Sequence, residues 1–177
     1  GDGVGDVVVP FAARLLDAGA DKITVNSAAV ARPELISEIA SRYGSQFVVA
    51  AIDAKLTDDG IWHVTTHGGS RFSDRELFSW AAEVQERGAG EIMFTSMNHD
   101  GTRSGYPCDV FARLADGLSI PVIASGGAGS VDDIADVLDQ GKANAALAAS
   151  IFHYGEISIG ELKRRLAEKG IAVRLPG

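Results

Sequence analysis

Hydrophobic residues recur along this chain in two alternating rhythms. Short runs rich in apolar residues, at 22–25, 47–52, 91–95, 121–125 and 145–149, each read as a strand. Continuous apolarity from Phe47 to Ile52 suits a strand buried on both faces of a parallel sheet. Between the runs, apolar residues return every three or four positions and predict helices. One is expected from about Val9 to Asp17, with Leu15 and Leu16 inward, Pro10 in the first turn and Gly19 at the C-cap. Others are expected over 33–43, with Leu35, Ile36 and Ile39 on one face, and over 74–86, capped by Asp74, with Leu77, Trp80 and Val84 inward. Helical patterns also cover 111–118, 131–140 and 160–169, with one further turn at 151–154. Residues 1–7 read as a Gly-rich loop. Strict strand–helix alternation implies an α/β architecture of parallel strands with right-handed crossovers. Residues 56–73 break the rhythm: turn chemistry at Thr57-Asp58-Asp59-Gly60, then the strand pattern of 61–65, predicts a small hairpin.

No linker or low-complexity run interrupts the 177 residues, so one domain over 1–177 is expected, long enough for a real core. The formal net charge of −8 argues against nucleic acid, because no basic stripe exists to neutralise phosphates. A phosphorylated ligand would then be held by local dipoles. The single cysteine, Cys108, excludes an intrachain disulfide and fits a reducing compartment. No apolar run reaches membrane-spanning length, so a cytoplasmic protein without a membrane partner is expected. The four histidines have no metal-ligand spacing, and neither a Walker motif nor a dinucleotide fingerprint is present, so no metal or cofactor is expected. His63 and His67 read as hairpin surface, His99 as a solvated loop residue and His153 as packing near the last short helix, while Met93 and Phe94 read as core.

Two apolar runs end in small residues: Val122-Ile123-Ala124-Ser125-Gly126-Gly127-Ala128-Gly129, opening into a helix at Ser130, and Ala146-Leu147-Ala148-Ala149-Ser150. Small residues let backbone N–H groups approach a bound group, and neighbouring strand ends of this kind form a phosphate cradle. Such sites recur after the last strands of (β/α) barrels. Residues 5–27 can be laid on 127–150 with one insertion, Asn26-Ser27 falling on Ala149-Ser150, which suggests a second, related cradle. Asp53 ends a buried strand, where a carboxylate can transfer protons. Thr95, Asp100 and Gly101 end the next strand, where hydroxyls and an amide could meet a sugar or its phosphate.

The segments Ala20–Val30, Val49–Lys55, Gly88–Tyr106, Ile123–Gly129 and Ala146–His153 occur in an order that resembles the cyclase subunit of imidazole glycerol phosphate synthase. The resemblance implies a partial (β/α)8 TIM barrel, of which this chain carries about five C-terminal βα units. It implies an enzyme of histidine biosynthesis, a lyase. The family takes ammonia from a glutaminase partner and converts a bis-phosphorylated formimino-AICAR ribonucleotide to imidazole glycerol phosphate and AICAR. By motif match, Asp53 resembles one of two acid–base aspartates. Gly5, Asn26 and Ser27 match one phosphate site, and Thr95, Asp100, Gly101, Gly126, Gly127, Ala128, Gly129 and Ser150 the other region. Lys22 and Glu91 resemble residues gating ammonia entry, and Asp21 a contact to the glutaminase.

Two departures follow from the same match. The family's first strands, including the second aspartate, have no counterpart here, and Gly3-Val4-Gly5 stands where the family has three glycines. Five strands cannot close such a barrel, so the chain alone is expected to be inactive and to associate through its open edges with missing strands or a second copy. The rivals are the paralogous phosphoribosylformimino-AICAR isomerase and a non-catalytic phosphate-binding half-barrel.

Overall fold

The computed structural model describes residues 4–175. Helix α1 (Val4–Asp17) leads to strand β1 (Ile23–Val25), then to α2 (Ser27–Ala31) and α3 (Glu34–Tyr43). A 3-10 turn at Ser45–Phe47 delivers the chain to β2 (Val48–Leu56), followed by the hairpin strands β3 (Trp62–Thr66) and β4 (Arg71–Glu76). Strict alternation then resumes with α4 (Leu77–Glu86), β5 (Glu91–Ser96), α5 (Cys108–Gly117), β6 (Val122–Ser125), α6 (Val131–Asp139) and β7 (Ala145–Ala146). The short α7 (Ser150–His153) and α8 (Ile159–Glu168) finish the order.

Strands β1, β2, β5, β6 and β7 pair in parallel in that spatial order. These are the five expected βα units of a partial barrel. Among the described residues, β1 pairs only with β2 and β7 only with β6, so the sheet is open. The hairpin runs antiparallel on the C-terminal half of β2, beyond the three residues that β1 covers.

Register divides the sheet into two faces. Val48, Ala50, Ile52 and Ala54 of β2, with Ile92 and Phe94 of β5 and Val122 and Ala124 of β6, are buried under the helices. Phe94 packs on Trp62 and Phe111 at ring-centroid distances of 5.6 and 5.0 Å, joining β3, β5 and α5 in one core. The opposite face carries Ala51, Met93 and Ile123 in one row and Asp53, Thr95 and Ser125 in the next. Met93, expected in the core, therefore lies half-buried on the concave face, because side chains alternate along a strand and that face lacks a complete ring of strands.

Other expectations shift at element ends. Residues 1–3 lie outside the described residues, and the chain is helical from Val4, so Gly5 occupies a helical first turn and not a loop. Pro10 consequently sits inside α1, where it removes one N–H bond. The helix continues because Val8, Ala12 and Leu15, at helical spacing, pack toward the core. Leu16, expected inward, lies about 100° round the helix from Leu15 and is 39% exposed. Asp74 belongs to β4, and Glu76 caps α4 by accepting from Ser79 N–H at 2.9 Å. Strand β7 is shorter than expected, ending at Ala146.

The hairpin is tied to α4 by charge. Glu83 accepts from Arg75 Nη1 at 2.5 Å and from Arg87 Nε at 2.8 Å, and the Arg75 guanidinium lies 4.0 Å above the Trp80 ring. Burial alone would raise the Glu83 carboxyl, but the bonds from Arg87 and Arg75 outweigh it and hold the group below its ordinary range. A depressed carboxyl stabilises the fold above its unfolded range, and that contribution disappears as pH falls through the folded value. Glu83→Gln is therefore expected to lower the urea midpoint at pH 7, with the gap to the parent closing as pH drops below about 4. A gap independent of pH would contradict the network.

Close backbone approach supplies a second test. A Cβ on Gly90 would sit 2.2 Å from the Ser45 carbonyl oxygen, so the turn before β5 can seat on the 3-10 turn only with glycine there. Gly90→Ala is expected to destabilise by about 1–3 kcal/mol, read from urea unfolding at fixed protein concentration.

Candidate active site

Parallel strands that agree in register also agree on which side chains look into the concave face at their C-terminal ends. Asp53 pairs in register with Thr95, and Thr95 with Ser125, so a carboxylate and two hydroxyls form a row across β2, β5 and β6. Asn26, at the end of β1, extends the row by donating from Nδ2 to Asp53 Oδ2 at 3.0 Å. Asn26 Oδ1 is buried without a hydrogen-bond partner among the described residues. Thr65 Oγ1 donates to the Asp53 carbonyl at 3.2 Å, anchoring the hairpin beside the row. Ser27 instead accepts from His67 N–H at 3.2 Å, which fastens the hairpin's far turn to the start of α2.

The second cluster lies at the same end of the sheet. The loops after β6 and β7 enclose a cavity of about 120 Å³ whose wall includes Gly126, Gly127 and Ala128 on one side and Leu147 to Ser150 on the other. Asp100, Gly101 and Arg103, from the loop after β5, close it. Among the described residues, the amides of Gly127, Ala128, Ala149 and Ser150 donate to no acceptor within the chain. The paired small-residue strand ends thus meet in one pocket with N–H groups to spare. Gly129 differs from these: its amide donates to Asp133 Oδ2 at 3.0 Å.

The glycines of this cluster answer to packing as well. Gly126 has φ of 84° and Gly127 of 127°, and a Cβ would lie 2.6 Å from the Ser96 carbonyl oxygen at the first and 2.1 Å from that of Gly105 at the second. The loops after β5 and β6 touch backbone to backbone, and Gly105 N–H donates to the Gly127 carbonyl at 2.9 Å. Tyr106, buried, adds a bond from its hydroxyl to the Leu147 carbonyl at 2.8 Å. Burial, with Asp133 nearby, pushes that phenol far above its ordinary value, so it serves as a donor strap. Sequence reasoning gave Tyr106 and Arg103 no role. Their partners lie 41 and 53 residues away, beyond any local pattern.

His99 also departs from expectation. It is half-buried and shares a hydrogen bond of 2.7 Å between Nδ1 and Ser96 Oγ, which pins the turn carrying Asp100 and Gly101. His153 is exposed and packs edge-on against Tyr154 at 5.4 Å. His63 is half-buried and His67 exposed on the hairpin. Burial, then the carboxylates of Asp136, Asp109 and Asp133, raise the Cys108 thiol, which disfavours a nucleophilic thiolate. Among the described residues, no group of three or more His, Cys, Asp or Glu could hold a metal ion, and no helix is long and apolar enough to cross a membrane.

Lys22 and Glu91 mark the opposite end of the sheet. Glu91 pairs in register with Val49, four residues before Asp53, about 13 Å away along the strand. Lys22 Nζ forms an ion pair with Glu91 across β1, β2 and β5, and Asp21 is exposed beside it.

The two halves of the suspected repeat agree where both are described. In each, a helix, a short strand and a short helix follow in turn, and the short helices start at Ser27 and Ser150. The preceding residues differ in backbone: Asn26, at φ −127° and ψ −104°, lies outside the common regions, while Ala149, at φ −114° and ψ −66°, is right-handed helical.

A family described as "Histidine biosynthesis protein" matches residues 3–158. The imidazole glycerol phosphate synthase subunit HisF of Phocaeicola vulgatus is 57% identical over 162 residues, covering 92% of this chain and 64% of the relative. Those of Bacteroides fragilis and Bacteroides thetaiotaomicron are 56% and 57% identical over 161 residues, covering 91% of this chain and again 64% of each relative. The chain therefore spans about 64% of the length of the curated relatives it matches. This similarity bears out the motif resemblance, and with a family match running through most of an open parallel sheet, the chain belongs to the histidine biosynthesis protein family.

Proposed function

We propose that this chain supplies the C-terminal part of a cyclase site of the imidazole glycerol phosphate synthase type, acting in the cytoplasm. The observation that carries the reading is the pairing of the Asn26–Asp53 row with the amide-lined cavity at one end of the sheet. Asp53 is the proton-transfer group: Asn26 holds its Oδ2, leaving Oδ1 to take or give a proton at the substrate. The amides of Gly127, Ala128, Ala149 and Ser150, with Gly101, hold one phosphate of the bis-phosphorylated ribonucleotide by dipoles, which suits a chain of net charge −8. Asn26 and Ser27, in the related half, hold the other, and Thr95 faces the sugar between them. Ammonia from a glutaminase bound near Asp21 enters past the Lys22–Glu91 pair at the far end. Imidazole glycerol phosphate and AICAR are the products.

The open sheet favours a second reading, in which the chain alone is a phosphate-binding half-barrel without turnover. Among the described residues the outer edges of β1 and β7 pair with no strand, and a segment carrying the family's further strands, or a second copy, would cover them. Assays with excess ammonium salt and the formimino ribonucleotide separate the readings. Residues 1–177 alone are expected to give no imidazole glycerol phosphate, and mixing them with a separately produced segment carrying the family's N-terminal strands is expected to give turnover. Asp53→Asn should reduce that turnover by about 10²–10⁴-fold. Activity indifferent to Asp53→Asn would overturn the assignment, and binding of phosphate sugars with no turnover in any mixture would leave the half-barrel reading.

A further inference from the structure

Arg103 is a cation on the wall of the phosphate cavity, yet its guanidinium is already engaged. Nη1 donates to Glu156 Oε1 at 2.8 Å and Nη2 to Glu156 Oε2, a two-pronged pair. Nη2 also donates to the Gly129 carbonyl at 3.3 Å. The backbone reaches the same place: a Cβ on Gly129 would lie 2.4 Å from the Arg103 carbonyl oxygen. To make these contacts Arg103 adopts φ of 60°, a left-handed conformation uncommon outside glycine. Three segments meet in this one side chain: the loop after β5, the loop after β6, and the turn between α7 and α8 that carries Glu156.

We propose that Arg103 and Glu156 form a clasp that positions the phosphate cradle and does not itself grip the phosphate. Both prongs of the fork point to Glu156, so the planar geometry that would suit phosphate is used inside the chain. The bond to Gly129 holds the loop that presents the Gly127 and Ala128 amides, and Glu156 anchors the fork from the segment that follows Ser150. The clasp thus sets the gap between the two walls of the cavity. The inference rests on the phosphate reading of that cavity.

Glu156→Gln gives the two possibilities opposite signs. Removing a negative charge near an anion site tightens phosphate binding if electrostatics alone matters. Loosening a clasp weakens it. The test titrates inorganic phosphate into the full chain and follows the amide resonances of Gly127, Ala128 and Ser150, with urea midpoints measured alongside. The parent is expected to show saturable shifts, and Glu156→Gln to weaken binding about two- to fivefold, the scale of a well-formed exposed pair, at a nearly unchanged urea midpoint. Arg103→Lys, which keeps the charge and loses the fork, is expected to weaken it similarly. Tighter or unchanged binding in Glu156→Gln, or full retention in Arg103→Lys, overturns the clasp while leaving the cradle intact. Absence of saturable shifts in the parent overturns the cradle, and the clasp with it.

Discussion

Register between parallel strands is the constraint on which the rest of this structure depends. Side chains alternate faces with a period of two, so one slip in pairing would send Asp53 into the helical layer and Ile52 into the mouth. What prevents the slip is burial. Val48, Ala50, Ile52 and Ala54 fill the layer beneath α3 and α4 alongside Ile92 and Phe94, and no register shifted by one keeps that face apolar. The chemistry of the concave face is thereby positioned by the packing of the other face. Asp53, Thr95 and Ser125 need no mutual bond to form a row, because the core has already aligned the strands that carry them.

The same logic marks what could be read from the residues alone. Short apolar-rich runs and helical periodicity located the five parallel strands and most helices, since both patterns report burial directly. The meeting of the two small-residue strand ends was legible because successive βα units place successive strand ends side by side, so Gly126–Gly127 and Ala149–Ser150 had to be neighbours. Contacts between distant segments were not legible. Nothing near Arg103 points to Glu156, nothing near Tyr106 to Leu147, and the loss of the Gly129 amide to Asp133 depends on how one loop folds over the start of α6. Met93 was misplaced for another reason: its environment depends on whether a ring of strands closes over it, which its own segment does not encode.

The glycines around the cavity show why a motif of small residues is ambiguous until the backbone is seen. Open space for a ligand and close approach of two loops both require the absence of a Cβ. Here the contact with Ser96 and Gly105 already accounts for Gly126 and Gly127. The free amides, and not the glycine content, are what point to an anion. The loop that seals against Gly105 is also the one whose residues line the cavity and whose Gly127 and Ala128 amides have no acceptor among the described residues.

An open sheet carries a cost that falls on the chemistry as well as on stability. Met93 and Ile123 are half-buried on the concave side, so water reaches the floor beneath Thr95 and Ser125, while Ala51 beneath Asp53 is buried. Proton transfer by a carboxylate and anion binding by amides both gain strength when water is excluded, since the effective dielectric falls. Covering the concave face would bury its apolar floor and strengthen these polar groups at once. The hydrophobic effect that completes the fold would then also set the electrostatics of the site, which is why closure of the sheet and activity are expected to appear together.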